Sequence, residues 1–127
     1  MLTLKVLLLM VLCHIIDDFV LQPVCLSKLK QKSWWEANAP DDLYKDDYKV
    51  ALFIHALSWS IMIHLPIIFL WPGVPGLVMC MTVFVNCLAH AWMDDRKANE
   101  KAVNLRTDQS FHLFQIFVTF IMLLAFR

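Results

Sequence analysis

Four apolar stretches, each about as long as a bilayer crossing, constrain this chain more than any other feature. A hydrocarbon core about 30 Å thick takes roughly 20 residues of helix, and runs at about 4–21, 50–71, 74–93 and 109–126 meet that length. Lipid offers a backbone no water to bond, so an apolar crossing segment must satisfy its peptide groups as a helix. Of 127 residues, 60% are hydrophobic and only 17% charged, with a mean hydropathy of +0.61. So few charges cannot cover a water-facing surface. The expected fold class is all-α: one polytopic membrane domain over residues 1–127, with four transmembrane helices in an antiparallel bundle. The third run carries no charge before Asp94, whereas Asp17 and Asp18 interrupt the first, so that end meets the headgroups or faces into the bundle. Between the second and third runs, "WPGVPG" holds two prolines and both glycines of the chain, a tight turn that makes the two runs a hairpin.

Basic residues orient the bundle, because cytoplasmic connections carry the excess of Lys and Arg. Of eleven such residues only Lys5 and Arg127 lie outside the connections 22–49 and 94–108. Those connections are therefore assigned to the cytoplasm, with both termini outside. The opening "MLTLKVLLLMVLC" has the lysine and apolar core of a secretory signal but no small residue before Cys13, so the first run is expected to be retained. Net charge is zero, which gives no global field for nucleic acid. The four cysteines form no C-x-x-C pair and read as reduced, structural thiols. In the connection "SKLKQKSWWEANAPDDLYKDDYK", Trp34 and Trp35 suit the headgroup level and the lysines suit anionic lipid. Its Asp41, Asp42, Asp46 and Asp47 lack calcium-loop spacing and read as a solvated loop.

The chemistry-bearing residues recur at one spacing. His14 and Asp18, His90 and Asp94, and Asp108 and His112 are each four apart, which puts imidazole and carboxyl on one helical face. With the orientation above, all three pairs fall at the cytoplasmic ends of their helices, and His55 lies near the cytoplasmic start of the second. Ionisable groups facing lipid are costly and turn inward to find partners. Several turned inward at one level make a polar cup whose His and Asp donors match the sets that bind transition or di-metal centres in helix bundles. A divalent metal (Zn, Mn or Mg) is expected there, held by His14, Asp18, His55, His90, Asp94, Asp108 and His112. The alternative is a set of separate hydrogen bonds that orient helix ends. Asn86 and Gln22, four residues from His90 and Asp18, suit supporting bonds to ligands. His64, at the far end of its run, is left outside the site. Asp17 and Asp95 point about 100° from their neighbours on an ideal helix and are assigned to the loops or to Arg96 and Lys97.

The motifs "HIIDDFVLQ", "HAWMDDRK" and "DQSFH" resemble those of an uncharacterised family of small integral membrane proteins of bacteria and their phages. That family is marked by H-x-x-x-D-F-x-L-Q, a second H-x-x-x-D followed by Lys, and a closing D-x-x-x-H. The matching positions are His14, Asp18, Phe19, Leu21 and Gln22, then His90, Asp94 and Lys97, then Asp108 and His112. The resemblance implies membrane location and groups these residues, and it names no reaction. A fainter likeness is to bacterial inner-membrane proteins described as metal-dependent hydrolases.

The leading expectation is a metal-dependent hydrolase in which Asp94 and Asp18 serve as catalytic carboxylates. Arg96, Lys97, Lys101 and Arg106 would bind a phosphorylated lipid headgroup; the same four also serve topology and anionic-lipid contact. Two other readings use the same cluster. One is a cation or proton-coupled transporter, which calls for homo-oligomers and a polar path across the bundle. The other is an accessory protein without enzyme activity that binds a partner.

Overall fold

The structure, a computed structural model, describes residues 2–126. Arg127, set apart from the cytoplasmic connections by the charge distribution, lies outside them. Every regular element among the described residues is helical. Helix α1 (Leu2–Ile16) runs into a π-helical turn at Asp17–Leu21, followed by two short helices, α2 (Val24–Leu29) and α3 (Lys32–Asn38). Three long helices complete the chain: α4 (Asp47–Leu70), α5 (Gly76–Ala98) and α6 (Leu105–Leu124). The segments Asp42–Leu70, Gly76–Ala98 and Leu105–Leu124 are long and apolar enough to cross a membrane. The first expected crossing is divided into 15 residues of α-helix and 5 of π-helix.

Each long helix extends past its apolar run. Polar residues at the ends close the backbone: the Asn104 side chain accepts from the Thr107 amide at 2.9 Å and starts α6 so that the last four residues of the expected connection, 105–108, are helical. Asp94 and Asp108 are consequently helical residues, held in register with the histidines four positions away. The connection 22–49, expected as a loop, instead forms α2, α3 and a 3₁₀ turn at Asp42–Tyr44. The Trp35 indole donates to the Leu29 carbonyl at 2.9 Å and its ring stacks on Tyr44, tying the segment together. All four cysteines are free thiols.

The distribution of side chains is inverted relative to a water-soluble bundle. On α1, Leu4, Leu8, Leu12 and Ile15 form an exposed stripe while Val6, Met10 and His14 form a buried one, both at helical spacing. On α5 the buried stripe is Thr82, Asn86, His90 and Asp94, with Leu77, Met81, Phe84, Val85 and Leu88 facing out. All five histidines are buried. At one end of the bundle Val6, Met10, Trp59, Ile63, Ile67, Trp71, Ile116, Phe120 and Leu123 pack into a dry core. The buried charged residues and four of the five histidines collect at the other end.

Candidate metal centre

Four helices deliver side chains to the polar end: His14 and Asp18 from α1 and its π turn, His55 from α4, His90 and Asp94 from α5, Asp108 and His112 from α6. The imidazoles of His90 and His112 stack with centroids 4.0 Å apart, His55 lies 5.1 Å from His90, and His14 lies 5.9 Å from His112. Every sequence-expected ligand thus belongs to one cluster. Two groups within it bring donor atoms within 4.8 Å of one another and could hold a metal ion: Asp18, His55 and His90, and His90, Asp94 and His112. His90 is common to both.

The three pairs spaced by four are close without being well bonded. The separations are 3.4 Å for His14–Asp18, 3.7 Å for His90–Asp94 and 3.2 Å for Asp108–His112. The nitrogen of His14 that faces Asp18 is taken up by the Trp59 indole, which donates to Nδ1 at 2.8 Å. Asp18 Oδ1, both ring nitrogens of His90, Asp108 Oδ1 and His112 Nε2 are buried with no hydrogen-bond partner. A buried polar group left unpaired costs about 1–3 kcal/mol, and native structures hold few of them. Five such atoms in one cluster, two of them the Asp108 oxygen and His112 nitrogen that face each other at 3.2 Å, belong to groups that could hold a cation.

Several supporting residues were not evident from the spacing. Asp17, assigned to the loops from an ideal helix, is buried: Ser58 Oγ donates to its Oδ1 at 2.7 Å, and its Oδ2 lies 3.8 Å from His55 Nδ1. The π turn is the reason, since it widens the helix and lets consecutive residues turn to the same side. Lys30, which caps the end of α2, is 8% exposed and donates to Asp94 at 2.5 Å and to Gln22 at 2.8 Å. Lys97 donates to Asp108 at 2.6 Å, and Gln109 donates to both Asp18 and Asp108. Gln22 therefore supports the centre through Lys30, and Asn86 supports it through Gln115, to which it is hydrogen-bonded. Asp95 binds Asn99, whose amide also holds the Lys30 carbonyl and so fixes α2 against α5.

Beside the cluster opens a cleft of about 470 Å³, lined among others by Asp18, His55, Asp94, Lys30, Lys97 and Lys101. Lys101 reaches it from a left-handed backbone, φ 54°, a conformation uncommon outside glycine. Of the four cationic residues expected to bind substrate, Lys97 and Lys101 line the cleft. Arg96 pairs with Glu100 at 3.5 Å and lies over the Trp92 ring, and Arg106 is not among the lining residues. Lys30 is the cation the sequence reading missed, since nothing local to "SKLKQK" marks it as a partner of a residue 64 positions away.

Comparison with models of protein families, with curated proteins and with solved structures finds no match to this chain.

Proposed function

We propose that the protein is a four-span bacterial inner-membrane protein that binds one divalent metal in this cluster and hydrolyses a phosphorylated lipid headgroup. In this reading α1 with its π turn is the first span, the termini lie outside, and the clustered lysines of the connections lie in the cytoplasm. The observation that carries it is the set of unpaired, buried ligand atoms beside a lysine-lined cleft.

Charge supports a single ion. With Asp17, Asp18, Asp94 and Asp108 ionised, the ammoniums of Lys30 and Lys97 offset two of the four negative charges. The two that remain equal one divalent cation, and uncompensated buried charge is strongly destabilising. The imidazole-rich donor set favours Zn or Mn over Mg. Held by residues of the groups Asp18–His55–His90 and His90–Asp94–His112, such an ion would supply a bound water of lowered pKa and polarisation of the scissile phosphorus–oxygen bond. Asp18 and Asp94 both line the cleft. Asp94 is held by Lys30, and Asp18 offers one oxygen as a ligand, so the second oxygen of Asp18 would accept the proton of the attacking water. Lys101, which lines the cleft and is bound to no carboxylate among the described residues, supplies phosphate-binding charge, and the exposed apolar stripe of α1 and Phe19 suits a substrate whose tail stays in the bilayer.

One observation favours the carrier reading. A buried chain of hydrogen bonds runs from His112 through Gln115, Asn86 and Thr82 to His64, deep in the bundle. Its carboxamides and a main-chain carbonyl conduct protons poorly, which is why hydrolysis is preferred. Metal content of detergent-purified protein, wild type against His90→Ala and Asp94→Ala, is the test. Stoichiometric metal in the wild type, lost in both variants, with phosphate release from a lipid phosphomonoester, is the expected result. Metal without turnover would favour the carrier, and metal-free wild type would leave an accessory protein that binds a partner.

A further inference from the structure

Two hydrogen bonds at the centre have only one possible direction. The main-chain carbonyl of Asn86 can only accept, so the Gln115 atom 3.2 Å from it must be the amide nitrogen. Asn86 Oδ1, 3.3 Å from the same nitrogen, agrees, because Asn86 Nδ2 is already committed to the Thr82 carbonyl and Thr119 Oγ1. The remaining Gln115 atom, Oε1, faces His112 Nδ1 at 3.2 Å. An oxygen there accepts, so His112 Nδ1 carries a proton and the lone pair of a neutral ring is on Nε2, the buried and unpaired nitrogen aimed at Asp94 and Asp108. At His14 the logic runs the other way. An indole N–H can only donate, so His14 Nδ1, 2.8 Å from Trp59 Nε1, is bare and occupied.

We propose that Gln115 and Trp59 are positioning residues that set opposite proton placements on His112 and His14, so that His112 ligates the metal through Nε2 and His14 is excluded from ligation. The effect on metal binding rests on the metal reading above; the proton placement does not. Ligating histidines characteristically give the proton of their second nitrogen to an oxygen acceptor, which fixes both tautomer and ring orientation. Gln115 is that acceptor, itself held by Asn86, Thr82 and Thr119 across α5 and α6. His14 instead becomes part of the wall, its ring edge-on to Trp59 at 5.8 Å. The ligand set narrows to Asp18, His55, His90, Asp94 and His112, which is the union of the two groups whose atoms converge.

The test uses full-length protein with 15N-labelled histidine in detergent, its ring signals assigned with His14→Asn and His112→Asn. In metal-free wild type, a protonated Nδ1 on His112 and a bare Nδ1 on His14 support the proposal, and either placement reversed overturns it whether or not metal binds. On adding zinc, the His112 Nε2 signal should move to a metal-bound position while His14 stays, and a metal-bound His14 overturns the proposal. If zinc moves neither ring, the metal reading and the ligation half of the proposal fail, and the proton placement stands on the metal-free spectrum. Gln115→Leu should weaken zinc about 10–100-fold, and Gln115→Glu, which keeps an acceptor, should restore it to within a few-fold. Equal affinity in both variants and wild type counts against Gln115.

Discussion

The two ends of the bundle are built by the same helices at the same spacing and come to opposite results. Along α1 the inward stripe passes from Val6 and Met10 to His14; along α6 it passes from Asp108 and His112 to Ile116, Phe120 and Leu123. At the apolar end, buried surface meets buried surface, and the ring nitrogens of His64 are taken up by Thr82 and the Ser60 carbonyl. At the other, side chains just as buried converge and leave facing atoms unpaired. Trp59 stands at the junction, stacked on His90 at 4.3 Å with its far edge in the dry core. The difference teaches that packing at the apolar end holds the helices together while the polar end keeps buried ionisable groups with facing atoms unpaired.

The largest effect should come from Asp94→Ala. It removes a proposed ligand and also strands the Lys30 ammonium, 8% exposed, without its carboxylate. Breaking a buried pair from one side costs about 3–5 kcal/mol, to be read as a loss of unfolding free energy in chelated protein. A variant as stable as wild type would show that Lys30 reaches water and that the end is less closed than its burial indicates. Next comes Ile63→Ala in the dry core, expected to cost about 2–5 kcal/mol through the cavity it leaves while bound metal stays stoichiometric. Metal lost from folded Ile63→Ala protein would break the division between the two ends. Lys101→Met tests the cleft that Lys101 lines: about 10–150-fold in KM for a phosphorylated lipid, with kcat little changed, follows if a charge-assisted hydrogen bond worth about 1.5–3 kcal/mol is removed from substrate binding.

The contrast between the ends was partly legible in the sequence. Helical spacing placed His14, Asp18, His90, Asp94, Asp108 and His112 on inward faces, because a lipid surround leaves ionisable groups few other places to go. Spacing cannot say which atoms are already taken. His14 and Asp18 are arranged like the other pairs, and only the indole of Trp59, from another helix, separates them. Asp17 was hidden by the π turn, which no residue pattern in "HIIDDF" announces. Lys30 and Gln109 act across long separations, 64 positions to Asp94 and 91 to Asp18, where single-sequence periodicity carries no information. Gln115, three residues after His112, was within reach of the spacing argument, but its role depends on Asn86 in a neighbouring helix.

The smallest effect is expected at Thr119→Val, and its size separates two uses of the polar ladder. Asn86 Nδ2 donates to Thr119 Oγ1 at 2.7 Å and to the Thr82 carbonyl at 2.9 Å. The substitution removes the first bond, keeps the shape, and leaves the amide orientation still set by Thr82 and by Gln115 below it. Interhelical hydrogen bonds inside membrane proteins average about 0.6 kcal/mol, so unfolding free energy should fall by that order and zinc affinity should hold within about twofold. A loss of 2 kcal/mol or more, on the scale of an unpaired buried polar group, would mean that the ladder serves chiefly to clamp α5 to α6. A small loss with affinity intact means that the ladder acts through the direction of its bonds rather than their sum, because Asn86 Oδ1 still faces Gln115 and Gln115 Oε1 still faces His112.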